Sequence, residues 1–310
     1  MAKVIRTEAR TPQASGSASA LARRRQLIGF LFVLPTLLFV ALFFLIPLAM
    51  TAWMSLQDWP LLGSSHFIGL QNYRTMASDS MFWQSLGFTT KYTVIVTPCI
   101  FLVGFGLALL VRQNRPGVGL FRTAYFLPVV IGLATTSYLW SWLYNDQVGV
   151  FDGILQGLGI IGQPIQWLAD PVSALMSIVG MVSWKTGGFV MLLMTVGMQA
   201  IPADLYEAAT VDGAGAWARL RCITIPLLRR TFALTLVISV IGSYLAFDQF
   251  YVMTSGGPNN QTVTVVYWIY DMSFTYFRLG YGAALSMVLL LILLVISAVQ
   301  LYLLRDTTQA

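Results

Sequence analysis

Residues 204–230 read DLYEAATVDGAGAWARLRCITIPLLRR, the longest charge-rich run inside a chain that is otherwise apolar. This run is too polar to span a bilayer, and long hydrophobic stretches lie on both sides of it, so it reads as a loop joining two spans. The 310 residues are 57% hydrophobic and 10% charged, against about 25% charged in soluble domains, and the mean hydropathy is +0.74. These values indicate an integral membrane protein. A ~30 Å hydrocarbon core needs about 20 apolar residues in helix. Working outward from the loop, assigned to 202–226, six such spans can be drawn: 27–53, 85–111, 120–144, 172–200, 227–253 and 279–304. The expected fold is an all-α, polytopic membrane protein whose transmembrane domain covers 26–305.

Residues 1–25 are polar and of low complexity, TPQASGSASA followed by Arg23, Arg24 and Arg25, and are expected to be a disordered tail; 306–310 form a second short tail. The stretch 27–53 has basic residues before it, as a signal peptide does. It is about twice as long as a signal h-region and lacks a clear cleavage motif, so it reads as the first span, bent at Pro35 and Pro47. The excess of 18 Lys+Arg over 12 Asp+Glu is topological. An inside amino terminus puts Lys3, Arg6, Arg10, Arg23, Arg24, Arg25, Arg112, Arg115, Arg122, Arg219, Arg221, Arg229, Arg230 and Arg305 on the cytoplasmic face, as the positive-inside rule requires. Arg74, Lys91 and Arg278 then lie outside or near the outer face, and Lys185 lies within a span. No nucleic-acid partner is needed. Cys99, Cys222 and His66 cannot assemble a metal set. Trp53, Trp59, Trp140, Trp142 and Tyr144 fall at the expected outer ends, where aromatic rings favour the headgroup layer. The outer loops, with Asp146, Asp152 and Asp170 in the second, are suited to receive an external protein.

Within the opening stretch, Glu207-Ala208-Ala209 is followed after three residues by Gly213, and after nine more by Ile223, Ile225 and Pro226. This resembles the cytoplasmic EAA loop of ATP-binding-cassette (ABC) importer permeases, with Ile225 where that pattern prefers Leu. The loop is expected to form a short helix through Leu205, Glu207, Ala208 and Ala209, capped by Asp204 or a neighbour. A left-handed Gly213 ends it, a second short helix follows at 214–220, and the resemblance implies Glu207, Ala208, Ala209, Asp212, Gly213 and Pro226 as the residues that couple to an ATPase. Small side chains permit close approach to a partner, Glu207 supplies a charge-assisted hydrogen bond, and Pro226 fits the first turn of the fifth span. The resemblance implies that this knob docks in the cleft of a nucleotide-binding subunit. The alternative is an amphipathic loop held on the inner leaflet by Arg219, Arg221, Arg229 and Arg230.

Two further stretches carry the resemblance across 27–304. FIGLQNYR at 67–74 is similar to the FxGLxNY element after the first helix of maltose-type sugar permeases, first-subunit type. FDQFYVMTSGGPNNQT at 247–262 looks like the carbohydrate-uptake subgroup, and Gly256, Gly257 and Pro258 dictate a tight outer turn on their own account. Counting from these motifs, the family's sugar contacts fall on Lys185, Thr186, Phe189, Ser239, Gly242 and Ser243. Trp184, Tyr244 and Asp248 are polar or aromatic neighbours on the same spans. Most such side chains in membrane helices simply pack or bond backbone. Lys185 stands out, because a mid-span charge costs ~3 kcal/mol on insertion scales and faces a cavity or a partner. At 1.5 Å per residue it lies roughly 20 Å from its outer helix end and Asp248 about 8 Å from its own, so the two are not expected to pair. Asp248 holds either the outer gate or the GGP turn, or is purely structural.

The chain has three lysines, Lys3, Lys91 and Lys185, none within GxxxxGK[ST], so no phosphate-binding loop is present. The resemblance implies a non-catalytic permease subunit of a bacterial inner membrane, with both termini cytoplasmic and no cofactor of its own. ATP and Mg would be bound by a partner ATPase. The implied partners are a second homologous permease, two ATP-binding subunits, an extracellular sugar-binding protein and membrane lipid. The cargo reads as a mono- or oligosaccharide, or else another polar solute such as glycerol phosphate. An ion-coupled secondary transporter would show internal repeats, and none is evident. An intramembrane enzyme would need a nucleophile and base pair, which the spans lack.

Overall fold

A computed structural model describes residues 15–112 and 116–303, with side chains described from Gln26 onward except Leu27. The expected tail residues 1–14 and 306–310, together with Arg115 and Arg305, lie outside the described residues. The chain divides into two units, Met1–Trp53 and Met54–Ala310. In the first, α1 (Ser15–Val40) passes through a π-helical turn, Ala41–Leu45, into α2 (Ile46–Met54). Residues 15–25 are therefore helical rather than irregular. Their Ala, Leu and Arg content favours helix, and they extend one already nucleated in the apolar run. Pro35 sits inside an uninterrupted α1. The π turn ends two residues before Pro47, whose ring crowds the carbonyl of Phe43 four residues back, and the wider turn relieves that clash.

The second unit opens with a minute antiparallel ribbon, β1 (Gln57–Asp58) with β2 (His66–Phe67), and α3 (Gln71–Ser78). The FIGLQNYR element closes this loop on itself. Buried Asn72 donates Nδ2 to the carbonyls of Ser55 and Gln57, both at 2.9 Å, and the Tyr73 hydroxyl meets Ser55 Oγ at 2.7 Å. Next come α4 (Ser80–Leu110), α5 (Val118–Val130), α6 (Leu133–Leu143), α7 (Val150–Gly157) and α8 (Pro171–Gln199). The cytoplasmic-loop candidate holds α9 (Ala203–Val211), α10 (Ala216–Arg219), a π turn at Leu220–Thr224 and α11 (Ile225–Leu227). The chain closes with α12 (Arg229–Tyr244), α13 (Asp248–Met253), α14 (Val265–Tyr270), a π turn at Asp271–Thr275 and α15 (Leu279–Leu303).

Four of these helical stretches are long and apolar enough to cross a membrane, Ile28–Met54, Ser80–Leu110, Pro171–Gln199 and Leu279–Leu303. The count reaches six only when two bent pairs are each taken as one span: α5 with α6, bent by 99°, and Ala216–Leu227 with α12, bent by 66°. The expected spans 120–144 and 227–253 are thus interrupted rather than continuous helices. The first breaks at Ile131–Gly132, three and four residues after Pro128. The second is a 16-residue helix that stops at Tyr244 and restarts at Asp248. The two short halves that follow the breaks, α6 and α13, pack against each other.

The core is built on α8, which packs along α4 and against α5 and α12. Ile178, Met181, Met191 and Met194 of α8 and Tyr92, Val96 and Ile100 of α4 are all buried. At one crossing the approach is backbone to backbone: a Cβ on Gly188 would stand 2.0 Å from the Tyr125 carbonyl oxygen. Lipid tails give no hydrophobic force between helices, so such close packing supplies the association energy. Asp79 joins distant elements. It caps α4 through Met81 N and accepts from Trp268 Nε1 at 3.0 Å and from the Tyr281 hydroxyl at 2.6 Å. Trp140 and Tyr144 pack against other rings. Together with Phe151, Trp167 and Trp184 they form a packed aromatic cluster with ring centroids 5.2–5.5 Å apart. Of the loop acids, Asp152 is buried on Ile165 N and Trp167 Nε1, and Asp170 caps α8.

Gly188→Val has no room short of moving α5 off α8. Overpacking of this kind costs about 1–3 kcal/mol, so the thermal unfolding midpoint of the detergent-purified protein should fall by several degrees. A midpoint equal to wild type would mean that the two helices are not in backbone contact.

Candidate functional site

The break in the third span is closed from another helix. Between Val130 and Leu133 the chain leaves helical geometry, Ile131 being extended (ψ 137°), and the carbonyls at the end of α5 lose their partners. Lys185, on α8 and only 7% exposed, donates Nζ to Ile131 O at 2.6 Å, Pro128 O at 3.2 Å and Val129 O at 3.5 Å. The ammonium thereby meets the negative end of the α5 dipole. The break in the fifth span has a similar device: buried Thr264 donates Oγ1 to Ala246 O at 2.7 Å while capping α14.

Beside the first break lies a cavity of about 220 Å³. Lys185, Thr186 and Phe189 from α8 and Ser239, Gly242 and Ser243 from α12 line it together with Tyr92, Leu133 and Gln249. The six positions expected to form the path are therefore brought together. Two other candidates are not. Trp184 turns away into the aromatic cluster, 5.4 Å from Trp140, and Asp248 opens α13 half-buried, outside the lining. One position along, Gln249 takes the place expected of Asp248. It is 2% exposed, donates Nε2 to the Tyr92 hydroxyl at 3.2 Å, and has a buried Oε1 with no partner. At about 220 Å³ the cavity is smaller than the ~300–1,000 Å³ of sites enclosing a drug-sized ligand.

The EAA stretch forms an exposed knob. α9 ends in a pair of bonds, Ala214 N to Ala209 O at 2.8 Å and Gly213 N to Thr210 O at 3.1 Å, with Gly213 at φ +76°. This is the Schellman closure that a left-handed glycine allows. The N-cap is Pro202, without a side-chain bond, so Asp204 lies in the first turn rather than at the cap. The knob is braced from behind. The Tyr206 hydroxyl meets buried Thr224 Oγ1 at 2.9 Å, Arg219 donates to Thr210 Oγ1 at 3.0 Å, and the Arg112 guanidinium, just past α4, stacks 4.1 Å over the Tyr206 ring. Its outward face carries Glu207, Ala208 and Asp212 with Leu205, Val211 (89% exposed) and Trp217 (71% exposed). Pro226 is not in the first turn of the fifth span. It lies in α11, and buried Leu228 makes the corner into α12. As at Pro47, a π turn ends two residues before the proline.

Residues 24–309 match the family described as binding-protein-dependent transport system inner membrane component. The chain belongs to this family. It is a multi-pass membrane protein, as its apolar helices require. The trehalose/maltose transport system permease protein MalF of Thermococcus litoralis is 34% identical over 287 residues, covering 92% of this chain and 95% of that protein. The lactose transport system permease protein LacF of Rhizobium radiobacter is also 34% identical, over 94% and 99% of the two chains. A chain from the crystal structure of a bacterial alginate ABC transporter in complex with an alginate pentasaccharide-bound periplasmic protein shares the fold. It superposes with a TM-score of 0.80 at 20% identity, over 93% of this chain and 97% of that one.

The sequence carried a signal for one of the missed features and none for another. Pro128 and Gly132 interrupt the third apolar run, and such interruptions mark binding sites in transporters. Nothing of that kind marks Leu245–Phe247. The outer turn is tight as expected, with Gly256 at φ +76°, whereas positive φ falls on Ser255, Asn259 and Asn260 instead of Gly257; the Gly257–Pro258 bond is cis.

Lys185→Met strips the donor from three carbonyls at the α5–α6 break, and a buried acceptor left bare costs about 1–3 kcal/mol. The variant should therefore lower both solute uptake and the thermal midpoint of the purified protein. Lost uptake with an unchanged midpoint would assign Lys185 to the ligand rather than to the break.

Proposed function

We propose that this chain is a transmembrane subunit of a binding-protein-dependent ABC importer and forms one wall of the path for a sugar. The observation that carries the reading is the braced, solvent-exposed EAA knob, joined through Leu228 to α12, which in turn lines the cavity. The sugars named for the two relatives support the cargo class. The wall itself suits a pyranose: the Phe189 ring is offered to C–H faces, and the hydroxyls and amide of Thr186, Ser239, Ser243 and Gln249 to the polar edge.

In this reading both termini are cytoplasmic and a second homologous permease completes the cavity. Two ATP-binding subunits hold ATP and Mg, while this chain binds no cofactor and catalyses nothing. An external sugar-binding protein delivers the cargo. Closure of the ATPase dimer on ATP pulls the knob. The bracing transmits the pull in two directions, through the π turn and α11 to α12, and through Arg112 to the end of α4. Hydrolysis releases it.

An ATPase should co-purify with this chain, and a chain that assembles with none would sink the proposal. Glu207→Ala removes one charge-assisted bond, worth about 1.5–3 kcal/mol, and should weaken ATPase association roughly 10- to 100-fold. Gly213→Pro cannot adopt φ +76° and should abolish coupled uptake while the protein still inserts. Wild-type transport by both variants would favour the lipid-surface alternative for the loop.

A further inference from the structure

Two guanidinium groups meet at the knob in a concave pocket of about 330 Å³, lined by Arg112, Tyr206, Ala216 and Arg219. Both are placed by α9. Arg112, two residues past the end of α4, lies 4.1 Å over the Tyr206 ring, and Arg219 donates Nη1 to Thr210 Oγ1 at 3.0 Å. Tyr206 and Thr210 are four residues apart on one helix and so share a face, with Cβ atoms about 5–6 Å from each other. Each anchor is itself fixed: the Tyr206 hydroxyl meets buried Thr224 Oγ1, and Thr210 Oγ1 donates to Tyr206 O at 2.7 Å. The pocket therefore holds a preset pair of half-buried cations.

No acidic side chain lines the pocket to balance them; Asp204, Glu207 and Asp212 of the same knob all lie outside the lining. Arginine stays charged throughout the physiological pH range, so the two like charges repel until an anion enters. Their donors are still available. Stacking engages the face of the Arg112 guanidinium and leaves the N–H groups in its plane. The end of α4 does not consume them, because Val111 O is already held by Arg122 through Nη2 at 2.6 Å and Nε at 3.3 Å. Planar forks of N–H donors match the oxygens of a phosphate. A phosphate here would accept one fork from the end of α4 and another from α10.

We infer that this pocket binds a phosphate group through Arg112 and Arg219, carried by an anionic membrane lipid or free in solution, and that the bound group ties the knob to the end of α4. A lipid source fits the position, since Arg112 closes a 31-residue apolar helix and stands where headgroups lie. The site is specific to these two arginines. Arg221 and Arg229 of the same loop are exposed and outside the lining.

The test uses the full-length protein purified in detergent with any subunits that co-purify. Native mass spectrometry measures binding of phosphatidylglycerol and of phosphatidylcholine with the same acyl chains, and thermal midpoints are compared in inorganic phosphate and in chloride at equal ionic strength. A lipid source predicts phosphatidylglycerol bound about tenfold more tightly than phosphatidylcholine. A free-phosphate source predicts a midpoint raised by phosphate and not by chloride. Arg112→Gln and Arg219→Gln should each weaken the bound probe by about tenfold or more, and Arg219→Lys, which keeps the charge but loses the fork, by less. Arg221→Gln and Arg229→Gln should stay within about twofold of wild type. Equal losses at all four positions would reveal a diffuse basic surface and overturn the inference. So would the failure of both probes to bind, or wild-type binding by Arg112→Gln and Arg219→Gln. If Arg112→Gln aggregates, Arg219→Gln decides, with weakened binding in favour and wild-type binding against. Each of these outcomes leaves the importer reading intact.

Discussion

A backbone that leaves helical geometry inside a membrane must find other partners for its carbonyls, because the hydrocarbon offers none. That constraint falls on the α5–α6 break, and the Lys185 ammonium meets it with bonds to Pro128, Val129 and Ile131. The rest of the site follows. A lysine reaching α5 from α8 requires the two helices to be close, and Gly188 allows their backbones to touch. The 99° turn then carries α6 across to α13, and the space left beside the break is the cavity. A mid-span charge, costly alone, here offsets a second cost that the fold would otherwise bear.

The second break obeys the same rule with a hydroxyl in place of an ammonium. Thr264 serves at once as the cap of α14 and the donor to Ala246, and its neighbour Val265 N is held by Thr89 of α4 at 3.0 Å. Both interruptions are thus stitched to helices that are distant in sequence. The short halves α6 and α13 are positioned by contacts rather than by continuity of a helix, and elements held in this way can shift as units. α12 starts at the Leu228 corner and ends at the Thr264-stitched break, so its 16 residues join the end of the knob, through the π turn and α11, to the cavity wall.

Chemistry and mechanics separate cleanly along the chain. The knob presents charged and apolar groups side by side, with Glu207, Val211 and Trp217 facing outward. The cavity wall has one charge, already engaged, and a set of acceptors. The first arrangement suits a protein partner. The second offers neutral hydrogen-bonding groups beside an engaged ammonium.

The sequence alone determined the membrane class, the approximate position of each span, the EAA knob with its left-handed Gly213, and the six residues of α8 and α12 that meet in the cavity. The membrane class, the spans and the left-handed Gly213 depend on local quantities, the length of apolar runs and the conformational freedom of glycine, whereas the knob's role and the six residues came by counting from the motifs of the family that the chain resembles. Residues 15–25 were misjudged because polar composition obscured good helix formers. Trp140 and Tyr144 pack into a cluster that composition could not assign, because an aromatic residue at a helix end packs or anchors according to what lies beside it. Only the tertiary structure decided that Lys185 closes a broken span, that Gln249 rather than Asp248 lines the cavity, and that Arg112 braces the knob. Each of these joins groups brought together by long-range packing, and hydrogen-bond partnership is a property of positions in space that no run of neighbouring residues encodes.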